Sequence, residues 1–96
     1  MTDKKQDDRE PAGGYEQRVV SWNVAALLAD RKLSKASLAA ALGITRQSLY
    51  AKMKCSTVWT VPDLAETAEF LGTSVQSLLD DRLMRSVKAS LNGQAD

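Results

Sequence analysis

The 96-residue sequence predicts an all-α fold, five helices in a helix-turn-helix arrangement followed by an additional C-terminal amphipathic helix. Three observations predict it. Apolar residues recur at three- and four-residue spacing from Val19 to Leu91, and no stretch alternates as a strand would. Ser34, Thr45, Thr60 and Thr73 each stand where a helix needs a side-chain acceptor at its start. Gly43 and Gly72 stand where a helix must turn into the left-handed conformation to stop. An apolar content of 44% supports one small core, hence one domain at most.

Residues 1–18, MTDKKQDDREPAGGYEQR, mix both charge signs with Pro11, Gly13 and Gly14. They hold too few apolar groups to offset the entropy lost on ordering, so a flexible tail is expected there. The first helix is expected from about Val19 to Arg31, with Val20, Val24, Leu27, Leu28 and Arg31 on one stripe that Trp22 and Ala25 widen. Leu33 tucks in, Ser34 caps, and the second helix runs from about Lys35 to Leu42 with Leu38, Ala39 and Leu42 inward. Ile44 packs down, Thr45 caps, and the third helix runs from about Arg46 to Lys54.

The fourth helix starts near Val61. Thr60 and Asp63 make a capping box, and Pro62 sits in the first turn, where its missing N–H does no harm. Leu64, Ala68 and Leu71 form its inner stripe. Thr73 and Gln76 are read as a second capping box, opening a short fifth helix with Val75, Leu78 and Leu79. Past Asp80, the i, i+4 series Leu79, Leu83, Val87, Leu91, with Met84 beside it, predicts a further amphipathic helix ending near Asn92–Gly93. The expected organisation is a tail over 1–18, the helix-turn-helix domain over 19–79, and the C-terminal helix with a short tail over 80–96.

The net charge of +1 predicts no nucleic-acid binding by itself, but its distribution is uneven. From Asp30 to Pro62 six basic residues (Arg31, Lys32, Lys35, Arg46, Lys52, Lys54) face a single acid, Asp30. A local patch can bind phosphates when the whole chain is nearly neutral. There is no histidine, and Cys55 is the one cysteine. This excludes an intramolecular disulfide, His-based catalysis and His metal ligation, and it fits a reducing compartment. No nucleophile–base or metal constellation can be assembled, so neither an enzyme nor a cofactor is expected. No apolar run reaches membrane-spanning length and no secretory signal is evident, so a cytoplasmic location is expected.

Residues 34–54, SKASLAAALGITRQSLYAKMK, carry the functional signal. Two helices pack at the angle of a helix-turn-helix only if the side chains between them are small, and Ala39 lies four residues before Gly43, where the third helix approaches. Leu38, Leu42, Ile44, Leu49 and Met53 would bury the inner surfaces. The outer face of the third helix is then Arg46, Gln47, Tyr50 and Lys54, within an arc of roughly 100°. Arginine can donate two bonds to guanine, and glutamine can pair with adenine. Tyr50 can pack on a thymine methyl or bond a phosphate, and Ala51 offers only a methyl contact. Lys35, at the start of the second helix, is placed to hold a phosphate. Lys54, Ser56, Thr57 and Thr60 are further phosphate candidates. Lys52 and Arg31 read as ordinary surface cations, Trp59 as core, and Cys55 as a small loop residue.

From about Val19 to Leu79 the chain resembles the Cro/C1-type (XRE-like) helix-turn-helix family of phage repressors and bacterial regulators, especially short actinobacterial and mycobacteriophage versions. The pieces that carry the resemblance are LSKASLAAALGITRQSL and WTVPDLAETAEFLGTSVQSLL. It implies a five-helix, lambda-repressor-like domain that binds double-stranded operator DNA, commonly as a dimer. By the same resemblance the base-reading positions fall on Arg46, Gln47 and Ala51, with Tyr50 adjacent. The phosphate-holding position of the second helix is Lys35, and Thr45 and Ser48 fall where family members contact the backbone. Three departures stand out. Ala51 replaces a long polar reader, Lys54–Cys55 replaces Asn-Gly, and Leu28 stands where arginine is frequent.

The function expected is therefore a transcriptional regulator of phage Cro or repressor type. The chain is short for a second, ligand-sensing domain, so no small-molecule ligand is expected. The alternative is a protein-interaction module, such as an antitoxin or antirepressor, working through the last helix. Its stripe, Leu83, Val87 and Leu91, could pair with a second copy or fold back on the first helix.

Overall fold

Three successive helices in the middle of this chain each begin on a hydroxyl cap and end on a left-handed residue, and these local signals set their boundaries. The computed structural model describes residues 14–93. They form α1 (Gly14–Asp30), α2 (Lys35–Leu42), α3 (Arg46–Met53), α4 (Val61–Leu71), α5 (Val75–Leu78) and α6 (Arg82–Gly93), with no strand among them. The Ser34 hydroxyl accepts the Ser37 N–H at 3.0 Å, and that of Thr45 accepts the Ser48 N–H at 3.0 Å. Thr60 and Asp63 form the expected capping box, each side chain bonded to the other's backbone N–H. The fifth helix differs from expectation. Its cap is Ser74, whose hydroxyl accepts the Ser77 N–H, and not Thr73.

Four turns close in the same way. After α2, the N–H of Ile44 reaches back to the Ala39 carbonyl and that of Gly43 to Ala40, with Gly43 at φ 71°. After α4 the same bonds run from Thr73 to Ala68 and from Gly72 to Glu69. α1 and α3 end likewise, yet with Lys32 (φ 55°) and Cys55 (φ 63°) in the left-handed position. Cys55 thus takes the conformation that glycine takes most readily, so the Lys54–Cys55 departure leaves that turn intact.

α1 is the hub: it packs against α3, α4, α5 and α6, while α2 packs on α3 and α4. The core joins Val20, Val24 and Leu28 of α1 to Leu38 and Ala39 of α2, Leu49 of α3, Leu64, Ala68 and Leu71 of α4, Leu78 of α5, and Trp59. Ala39 is buried between α2 and its neighbours, as the need for a small side chain predicts. Full burial of a leucine or valine contributes roughly 1.5–3 kcal/mol, so this cluster is the main source of stability.

α1 begins at Gly14, five residues before the apolar spacing would start it. Residues 14–18, expected in the tail, are helical because their polar groups find partners. The Gln17 amide bonds the Trp59 backbone on both its N–H and its carbonyl, and the Tyr15 hydroxyl donates to Asp81 at 2.6 Å. The tail expected over residues 1–13, and the short one over 94–96, lie outside the described residues.

α6 also differs from the simplest reading of its stripe. Met84 is the side chain that anchors it, 4% exposed, whereas Leu83, Val87 and Leu91 are 57%, 38% and 71% exposed. The leucine face therefore does not fold back on α1. Leu79, counted with that stripe and with α5, is exposed as well.

Candidate nucleic-acid interface

α2, the turn at Gly43 and α3 build the site. The caps at Ser34 and Thr45 start the two helices, and Leu38, Ala39 and Leu49 bury the faces between them. Burying Leu49 turns the opposite side of α3 outward. Arg46, Gln47 and Tyr50 are exposed there, and Ala51 is half-buried.

Two shallow grooves flank that face. Arg46 and Tyr50 border one of them, together with Lys35 and Leu33. Gln47 and Ala51 border the other, together with Thr45, Ser48 and Thr57. The Lys35 ammonium stands 5.8 Å from the centre of the Tyr50 ring, within cation–π range. The expected phosphate candidates Lys35, Thr45, Ser48, Lys54, Ser56, Thr57 and Thr60 are all exposed.

Some of these residues have local duties. The Thr45 hydroxyl caps α3 and also donates to the Ser48 hydroxyl at 3.1 Å. Thr60 commits both its backbone N–H and its hydroxyl oxygen to the Asp63 capping box. The N–H groups of Ser56 and Thr57 both reach the Ala51 carbonyl and close the end of α3.

Lys52 is not an ordinary surface cation. Its ammonium lies 2.7 Å from Asp63, with only 14% and 16% of the two side chains exposed, and it also donates to the Val58 carbonyl. Burial pushes the Asp63 carboxyl up, but hydrogen bonds from Lys52 and Thr60 outweigh it and hold the group below its usual value. Arg31 lies 3.6 Å from Asp30. Of the six cations in the basic segment, Lys32, Lys35, Arg46 and Lys54 form no ion pair among the described residues.

The tie that fixes α3 against α1 was not legible as a motif. Ser21 accepts the Trp59 indole N–H at 2.9 Å, donates to the Lys52 carbonyl at 3.0 Å, and touches the Cys55 sulfur at 3.6 Å. Asn23 does the same for α5, donating to the carbonyls of Leu78 and Asp80. The one signal in the sequence is a pair of small polar residues inside an apolar helical stripe. Trp59 is core, as expected, at 3% exposure.

A short helix, a left-handed turn and a second helix with its polar side outward, all braced by α1 and α4, define a helix-turn-helix DNA-binding domain. Over residues 23–83 the chain matches the family model of the Cro/C1-type HTH DNA-binding domain, and it belongs to that family. The match ends one residue after the start of α6 and carries no indication of a phage or actinobacterial source. No curated protein and no solved structure matches the chain. Among the described residues no helix is long and apolar enough to cross a membrane, and no group of His, Cys, Asp and Glu could hold a metal ion.

Proposed function

We propose that this protein is a sequence-specific regulator of transcription of the Cro or repressor kind, inserting α3 into the major groove of double-stranded DNA. The observation that carries the reading is the outward face of α3. Arg46 and Gln47 are exposed in its first turn, on a helix whose opposite face is locked by Leu49. In this reading Arg46 and Gln47 read bases, Tyr50 and Ala51 supply apolar contact, and Lys35 and Lys54 hold phosphates on either side. Thr45, Ser48, Ser56, Thr57 and Thr60 add hydroxyl contacts to the backbone. Such a protein works where the DNA is, in the bacterial cytoplasm.

The exposed stripe of α6 supports a homodimer through Leu83, Val87 and Leu91, reading two half-sites about 34–36 Å apart. The same exposure is what favours the second reading, an interaction module of antitoxin or antirepressor type that uses α6 to hold another protein.

Selection of bound sequences from a random DNA pool tests the proposal. A single enriched motif, palindromic if the dimer acts, is the expected result. Arg46→Ala should then relax the base preference at one position, at a cost of roughly 1–3 kcal/mol. Lys35→Ala should weaken all sequences alike and flatten the salt dependence. A pool from which nothing binds better than bulk DNA rules the regulator out.

A further inference from the structure

Beside the proposed DNA face, α1, α3 and α6 border an open cleft of about 600 Å³, within the ~300–1,000 Å³ typical of small-molecule sites. Its floor is apolar, built from Trp22 and Ala25 of α1, Met53 of α3 and Met84 of α6. Three lysines from three parts of the chain line it, Lys35 of α2, Lys54 after α3 and Lys88 of α6; Arg18 of α1 also borders it, its guanidinium 5.5 Å from the centre of the Tyr15 ring. Among the described residues no carboxylate lines it. Sequence distance hides this convergence, since Arg18 and Lys88 lie at opposite ends of the described chain.

The two features ask for different parts of one ligand. An apolar floor is covered most favourably by hydrocarbon or an aromatic ring, and bordering positive charge by an anionic head. We infer that the cleft binds a small amphipathic carboxylate, an acyl or aromatic body seated on Trp22, Met53 and Met84 with its head among the lysines. The expectation of no small-molecule ligand rested on the lack of a separate sensing domain; a cleft formed where α6 packs beside the helix-turn-helix needs none.

Lys35, Tyr50 and Lys54 border the cleft and also belong to the proposed DNA face. A bound carboxylate would neutralise cations that DNA phosphates need, so ligand and DNA compete. This last step rests on the DNA reading, whereas binding of the carboxylate stands without it.

Trp22 lies in the cleft and the other tryptophan, Trp59, is buried in the core, so Trp22 emission reports occupancy. The test titrates the full chain with dodecanoate, dodecanol and dodecylamine, each below its micelle concentration. Dodecanoate should give a saturable one-to-one change, with affinity roughly tenfold or more above the other two. Lys88→Gln, at an exposed position, should weaken dodecanoate several-fold with an unchanged thermal melt. No saturable response, equal affinity for all three heads, or an unaltered affinity in Lys88→Gln overturns the site. Dodecanoate at ten times its Kd should then raise the apparent Kd for the selected DNA about tenfold. Carboxylate binding that leaves DNA affinity unchanged overturns the competition. If the carboxylate binds and no DNA does, the DNA reading fails and the cleft stands. If DNA binds, Lys88→Gln weakens it and no carboxylate binds, the cleft is part of the DNA surface and the inference fails.

Discussion

Lys32 and Gly43 hold nearly the same backbone, φ 55° against 71°, at the ends of successive helices. Glycine occupies the left-handed region without penalty, whereas an L side chain there costs roughly 1–2 kcal/mol. Lys32 is exposed, so nothing in its packing offsets the strain. Lys32→Gly should raise stability by about 1 kcal/mol, read as a higher urea midpoint at unchanged slope. Cys55 differs, because its buried side chain rests on Ser21 and a glycine there would lose that contact. Ser21 is a buried polar junction, serving Trp59, Lys52 and Cys55 together. Ser21→Ala strands the buried indole N–H and should cost about 1–3 kcal/mol in denaturant unfolding. The glycine stops were legible because glycine is chemically marked for that backbone. Lys32 and Cys55 were not, because tertiary closure imposed the conformation on side chains that do not advertise it.

At the scale of elements, α3 is held to α4 by an ion pair as well as by its core face. Lys52 on α3 meets Asp63 in the first turn of α4, and Asp63 is also the capping-box acid of that helix. Its carboxyl is lowered from the ordinary 3.8 in the folded state. The unfolded chain therefore binds this proton more readily, so the pair's contribution is complete above pH about 4 and is lost as pH falls through the folded value. Asp80 behaves in the same direction. Hydrogen bonds from the Arg82 side chain and backbone at the start of α6 bring it from 3.8 to about 2. Stability should thus decline on acidification below pH 4, and Asp63→Asn should flatten that decline, as urea midpoints measured between pH 6 and 2.5 would reveal. The capping box was legible as Thr60-x-x-Asp63. The partnership of Asp63 with Lys52 was not, since the spacing of a cap says nothing of which neighbouring helix reaches over it.

At the scale of the whole molecule, the basic segment loses Lys52 to an internal pair and gains neighbours from outside, Arg18 and Lys88, around the cleft beside α3. α6 is pinned by Met84 and by the Tyr15–Asp81 bond, which leaves Leu83, Val87 and Leu91 uncovered. Association through that stripe predicts a dimer at micromolar concentration in sedimentation, and Leu83→Lys should shift it to monomer without lowering helicity. A wild-type chain that sediments as a monomer removes the dimer from the proposal. The sequence alone determined the helix order, the caps at Ser34, Thr45 and Thr60, the Gly43 turn, the core stripes and the polar face of α3. Each of these follows from residues within four positions of one another, where spacing is geometry. Only the tertiary structure decided that Lys52 is spent on Asp63, that Met84 and not the leucines anchors α6, and that residues 18, 35, 54 and 88 border one cleft. These depend on which helix faces meet, and periodicity within a helix carries no information about its neighbour.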